Sequence, residues 1–244
     1  MIEIHEITKR FEDDTVLNAC SFIGESEIYG LLGRNGSGKT TLLKILLGLL
    51  TPSAGTVKIC GKNPKEERQQ VLHLVGATIE QPKFYYHLSA FENLSIHLSY
   101  MGYADREHRA LIEEVLGLVG LSNEQEKKVS KYSLGMKQRL AIARAIIHRP
   151  KVLILDEPMN GLDPIGIKDM RNLFKKLTVE QSMTILFSSH ILNEVMAVSD
   201  HILVLRNGSI ELNEKKENII TKHQENAESF LINFMEGLDH VAIN

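Results

Sequence analysis

The chain has 244 residues, 43% of them hydrophobic and 24% charged, with a net charge of −3. This length holds one large α/β domain or a core with an inserted subdomain, and the composition is that of an ordinary globular protein. The charge balance argues against bulk attraction to nucleic acid, and no apolar run is long enough to cross a bilayer, since Leu42–Leu50 is short and carries Lys44.

No apolar leader follows Met1, where Ile2-Glu3-Ile4-His5 alternates like a strand, so a cytoplasmic location is expected. Ile2, Ile4 and Ile7 lead to a turn at Glu12-Asp13-Asp14, and Val16-Leu17 opens a second, antiparallel run. Phe11 precedes that turn. It either covers the core or offers an exposed π-face on which an adenine ring could stack. Cys20 and Cys60 fall in strand-like segments without metal-type spacing, so both are expected as structural thiols.

A third apolar run, Ile28–Leu32, feeds Gly33-Arg34-Asn35-Gly36-Ser37-Gly38-Lys39-Thr40, and a helix is predicted over Thr41–Leu50. Glycines at this spacing let successive N–H groups converge on a polyphosphate, and the helix N-terminus adds partial positive charge. Lys39 places a point charge against the β/γ-phosphates, and Thr40 offers a hydroxyl to Mg²⁺. A nucleotide site is therefore expected here. Thr51–Gly55 reads as a turn, Thr56–Cys60 as a strand, and Leu72–Ile79 holds another apolar run that Glu80-Gln81-Pro82 breaks.

Residues 83–149 change character, with helices predicted around Ser89–Met101, Arg106–Val119 and Ser133–His148. An all-helical block inside an α/β pattern reads as an inserted subdomain. Ser133 and Gly135 at a helix start could form a second phosphate nest, although an ordinary N-cap serine is the simpler reading. Val152–Leu155, apolar on both faces, is a buried parallel strand ending in Asp156-Glu157-Pro158. At that sheet edge Asp156 can hold the Mg²⁺ shell while Glu157 orients and polarises a water. A helix at Ile165–Leu177 and strand Thr184–Phe187 follow. His190 then reaches the same edge, where it could donate a hydrogen bond to a γ-phosphate. Helix Ile191–Ala197, strand Ile202–Leu205, a hairpin turn at Asn207-Gly208 and a polar stretch 211–244 with a helix at Ala227–Met235 complete the pattern.

The phosphate loop, Ser133-Leu134-Gly135-Met136-Lys137-Gln138-Arg139, Val152–Pro158, Gly161-Leu162-Asp163 and His190 occur in the order seen in one family. Over roughly residues 1–215 the chain resembles the ATP-binding subunit of an ABC transporter. The resemblance implies an α/β P-loop NTPase fold of the RecA-like type. Its mostly parallel sheet core has N-terminal antiparallel strands and an inserted helical subdomain. Residues 1–81 and 150–210 would form the nucleotide-binding core, 82–149 the helical subdomain and 211–244 a C-terminal extension. It further implies that Phe11 stacks adenine, that Gly33–Thr41 hold the phosphates, and that Ser133 and Gly135 bind the γ-phosphate held by a second subunit. Two ATP molecules would then be sandwiched in a homodimer or pseudo-dimer, with Asp163 signalling across it. The partner in work would be a separate transmembrane permease and not nucleic acid, placing the chain peripherally at the inner face of the membrane.

Two departures stand out. Tyr132, Leu134 and Met136 replace the usual Leu, Gly and Gln of the signature, while Ser133 and Gly135 are kept. At the loop that usually supplies a Gln ligand for Mg²⁺ and water, Glu80 takes the place, with Gln81 one position later; Glu80 is preferred because Pro82 and Tyr85 then stay in register. A glutamate there together with this signature is similar to the bacitracin and lantibiotic resistance or self-immunity exporters. Phe84-Tyr85-Tyr86 are candidates either for permease docking or for core packing. A general multidrug or ion exporter ATPase is the alternative, and a soluble ABC ATPase of ribosomes or DNA lacks its usual second cassette or coiled coil here.

Overall fold

Period-two burial builds the N-terminal strands. In the computed structural model, which describes residues 1–12 and 14–238, β1 (Ile2–Phe11) pairs antiparallel with β2 (Asp14–Gly24). Asp13 of the expected turn, and residues 239–244 of the C-terminal stretch, lie outside the described residues. β3 (Ile28–Leu32) leaves for a second sheet and leads into α1 (Lys39–Leu46), after which β4 (Ala54–Ile59) returns to the other edge of β1. Ile2, Ile4, Ile7, Leu17, Phe22, Val57 and Ile59 of this small sheet are buried together with Leu42, Leu43 and Leu46 of α1. The helix ends earlier than predicted because Gly48 takes a left-handed φ of 66°, where a Cβ would lie 2.6 Å from the Pro64 carbonyl.

The apolar run after residue 72 is divided. α2 (Arg68–Leu74) contains its first residues, and β5 (Val75–Thr78) the rest. From β5 to β6 (Val152–Leu155) no strand intervenes; the chain forms α3 (Ala90–Tyr100), α4 (Asp105–Leu118) and α5 (Leu134–Ile146). Each predicted helix here is present: α4 has the predicted length but starts and ends one residue earlier, while α3 and α5 are shorter by one or two residues at each end, since Ser89 and Ser133 serve as N-caps rather than helical residues. Leu94, Leu98, Ile112, Leu116 and Leu140 share one continuous cluster with Leu153, Leu155 and Phe187 of the sheet.

α6 (Pro164–Gln181), β7 (Thr184–Ser189), α7 (Leu192–Val198), β8 (His201–Arg206) and β9 (Ser209–Lys215) complete the large sheet, whose six strands run β5-β6-β7-β3-β8-β9. All pairings are parallel except β8–β9, which is closed by Asn207 and Gly208 at φ 49° and 76°, the expected hairpin. Val152 and Ile154 of β6 face the small-sheet cluster while Leu153 and Leu155 face the helices, which is why this strand is apolar without alternation. The polar C-terminal stretch is more ordered than one helix: α8 (Lys216–His223) precedes α9 (Ala227–Glu236), which is anchored by buried Leu231. No helix among the described residues is long and apolar enough to cross a membrane.

This is the expected α/β architecture, a mostly parallel core with antiparallel N-terminal strands and helices between β5 and β6. Because β5, β6, β7, β3 and β8 are parallel, everything that follows their last residues gathers at one edge.

Candidate functional site

The phosphate loop follows β3 at the centre of that edge. Gly36 and Gly38 have φ of 82° and 102°, open to glycine and strained for other residues. Gly33 is required for a different reason: a Cβ there would lie 2.6 Å from Ser37 Oγ and 2.7 Å from the Leu205 carbonyl oxygen. Lys39 is 5% exposed and its Nζ donates to the carbonyls of Gly33 at 2.7 Å and Arg34 at 3.1 Å. Burial pulls its pKa down, and the carboxylates of Glu157 and Asp156 pull it back up. Ser37 Oγ is buried without a hydrogen-bond partner. A cleft of about 880 Å³ opens beside Arg34–Ser37, with Val16 on one wall and the Asn207-Gly208 turn and the end of α9 on another.

From β6 and β7 come the acids and the histidine. Thr40 Oγ1 donates to Asp156 Oδ2 at 2.9 Å, and Ser188 Oγ donates to Asp156 Oδ1 at 2.6 Å. Ser188 in turn accepts the Glu157 N–H at 2.9 Å. Glu157, at φ 47°, turns its carboxylate to His190, whose Nδ1 lies 3.0 Å from Oε1, while Asn160 Nδ2 is 3.4 Å from Oε2. Thr40, Asp156, Ser188, Glu157 and His190 thus form one connected line from the helix start to the end of β7. Ser188 and Asn160 were not anticipated from sequence. The signal for Ser188 was its place at the end of a buried strand beside Asp156.

Other candidates stand apart from this line. Phe11 is 43% exposed, with the Lys9 ammonium 4.8 Å from its ring centre, so it is not core. Glu80 is held by Lys44 at 2.7 Å rather than by the Thr40–Asp156 pair, and that bond lowers its pKa. Gln81 is exposed beside it, and Thr41 lies in the first turn of α1. Ser133 caps α5, accepting the Met136 N–H at 3.2 Å, and Asp163 caps α6, accepting the Gly166 N–H at 2.7 Å. The two caps are neighbours: a Cβ on Gly161 would meet Leu134 Cδ2 at 2.7 Å, and one on Gly135 would meet Leu162 Cδ2 at 3.5 Å. Among the described residues, no hydrogen bond joins Ser133 or Gly135 to the phosphate loop. The aromatic triplet divides. Phe84 packs under Arg144, whose guanidinium is 4.8 Å from its ring centre, while Tyr85 and Tyr86 are exposed.

The sequence profile of the ABC transporter family matches residues 18–160. The chain belongs to the ABC transporter family. It is 44% identical to the bacitracin transport ATP-binding protein BcrA of Bacillus licheniformis over 86% of this chain and 68% of that protein. It is 39% identical to the lantibiotic transport ATP-binding protein SrtF of Streptococcus pyogenes over 88% of this chain and 91% of that one. Among solved structures, the ADP- and Pi-bound dimeric cassette MJ0796 superposes with a TM-score of 0.80 at 26% identity, covering 88% of this chain and 99% of that one. As a member of this family, the chain binds ATP and is an ATPase. Its unusual signature has a local explanation: Tyr132 is 4% exposed and donates its hydroxyl to the Glu124 carbonyl at 2.7 Å, whereas Leu134 is 61% exposed. The tyrosine is a packing residue, and the exposed leucine lies on the loop surface next to Ser133.

Proposed function

We propose that two copies of this chain close on two ATP molecules and drive a separate membrane permease that exports a peptide antibiotic of the bacitracin or lantibiotic class, for resistance or self-immunity. The observation that carries the hydrolytic part is the line Thr40–Asp156–Ser188–Glu157–His190 beside the phosphate loop. The relatives named for bacitracin and lantibiotic transport support the cargo.

In this reading Phe11 stacks the adenine and Gly33–Thr41 cradle the phosphates through backbone N–H groups. Lys39 exchanges two carbonyl partners for phosphate oxygens. Thr40 and Asp156 supply oxygen ligands for Mg²⁺; their oxygens lie 2.9 Å apart, and oxygen donors completed by phosphate and water suit this cation. Bound there, it neutralises charge on the phosphates. Glu157 accepts the proton of the attacking water, and His190 donates a hydrogen bond to the γ-phosphate while remaining in reach of Glu157. Glu80, released from Lys44, or Gln81 beside it, would supply a further ligand to the same cation or water when the site closes. Ser133 and Gly135 complete the site of the other copy, with Asp163 beside them. Residues 82–149 are assigned as the helical subdomain, whose exposed Tyr85 and Tyr86 meet the permease at the inner face of the membrane.

Substituting Glu157→Gln should leave ATP binding intact, lower turnover by at least about 10²-fold, and leave a stable ATP-bound dimer in gel filtration. Turnover at the wild-type rate would refute the role of Glu157. With its permease, the wild-type chain should protect cells against bacitracin or a lantibiotic and the E157Q chain should not. Protection against non-peptide drugs alone would refute the cargo.

A further inference from the structure

Ser189, the last residue of β7, is 1% exposed and tied on three sides. Its carbonyl accepts the N–H of Gly33, the first residue of the phosphate loop, at 3.3 Å. Its hydroxyl accepts the Ile191 N–H at 3.0 Å and donates to Glu194 Oε2 at 2.6 Å. His190 lies between these two anchors, and no other residue separates it from either. Glu194 is on α7 and only 7% exposed. Burial raises its carboxyl pKa, the Ser189 hydroxyl and His190 lower it, and Glu157 raises it. An isolated buried acid is costly, and an apolar residue at this helix position would pack without that cost. A short turn whose side chain must reach a partner 3.0 Å away needs its backbone fixed on both sides.

We infer that Glu194 is a positioning residue for ATP hydrolysis, acting through the Ser189 hydroxyl to fix the Ser189–His190–Ile191 turn and hence the approach of His190 to Glu157. This inference rests on the roles given above to Glu157 and His190. It couples three elements: the start of the phosphate loop, the end of β7 and the first turns of α7.

The test uses the purified chain and five variants, Ser189→Ala, Glu194→Ala, Glu194→Gln, His190→Ala and the His190→Ala/Glu194→Ala double, each checked by melting before kinetics. The alanine variants of Ser189 and Glu194 should lose roughly tenfold in kcat, as expected for a displaced catalytic neighbour, with the KM for ATP held within about twofold. Glu194→Gln retains an oxygen acceptor for the Ser189 hydroxyl and should recover most of that loss. In the His190→Ala background, adding Glu194→Ala should cost less than about twofold, because both changes disable one unit. Wild-type kcat in Ser189→Ala, with His190→Ala inactive, overturns the inference while leaving the role of His190 standing. Losses that simply multiply in the double variant also overturn it. Wild-type kcat in His190→Ala instead overturns the reading of the site itself. Should Glu194→Ala not fold, Ser189→Ala and Glu194→Gln decide the matter.

Discussion

Ser188→Ala is the substitution that most directly tests the hydrogen-bonded line. Ser188 is fully buried, donates to Asp156 Oδ1 at 2.6 Å and accepts the Glu157 N–H at 2.9 Å. A bond to a charged group is worth about 1.5–3 kcal/mol and a neutral one about 1 kcal/mol, so the alanine variant should lose roughly 2–4 kcal/mol of stability. For a chain of this size each kcal/mol moves the melting midpoint by about 2–4 °C, which places the expected drop at roughly 4–16 °C. Catalysis should suffer separately. Glu157 sits at φ 47°, a conformation that its anchored N–H helps to hold. Release of that anchor should displace the carboxylate and reduce kcat by roughly 10–100-fold, since small misplacements carry penalties of that order. Calorimetry on the unliganded chain and steady-state ATPase assays at saturating ATP give the two quantities independently. A midpoint within about 1 °C of wild type, together with unchanged kcat, would show that Ser188 joins nothing of consequence.

Two further substitutions probe groups whose environment is unusual. Lys39→Met removes the ammonium from the Gly33 and Arg34 carbonyls. ATP at 100 times its Kd should stabilise the wild-type chain by about 2.7 kcal/mol, and the variant should show no such rise in melting midpoint; an equal rise would exclude Lys39 from phosphate binding. His97, half-buried beside His148 and Arg144, has its pKa pulled down to about 4, chiefly by desolvation. Below pH 6.5 the unfolded chain takes up a proton that the folded chain refuses, so stability should fall between pH 6.5 and about 4, by up to roughly 3 kcal/mol at 1.36 kcal/mol per pH unit. His97→Asn should flatten that part of the stability profile, and an unaltered slope would show that His97 is not responsible.

The parts of the fold that sequence made legible are those in which a local rule and the tertiary structure agree. β6 could be read because a strand buried on both faces must be apolar throughout. The Asn207-Gly208 hairpin could be read because few dipeptides accept left-handed φ at both positions. α8 was missed since most of its residues are exposed, with Ile219 its buried residue, and such a surface carries almost no periodic signal. Division of the run after residue 72 into α2 and β5 was equally hidden: α2 buries only Val71, too little for a helical stripe.

Within the site, the legible residues are those whose chemistry is written by type and spacing, such as Lys39, Asp156 and Glu157. Ser188 and Glu194 were not legible because a serine and a glutamate are common on any surface, and only their burial marks them out. The same distinction separates Glu80 from Asp156. Both are acids following a parallel strand, yet Asp156 is bound by two hydroxyls at the centre of the edge while Glu80 is drawn outward by Lys44. Lys44 is a residue of α1, one turn beyond Thr40, so the cation and the threonine extend from the same helix. Moving Glu80 into the site would exchange an exposed ion pair, which water screens, for contacts made on closure. The Lys44–Glu80 pair is open to water, whereas Asp156 is held by two hydroxyls with no nucleotide needed to place it.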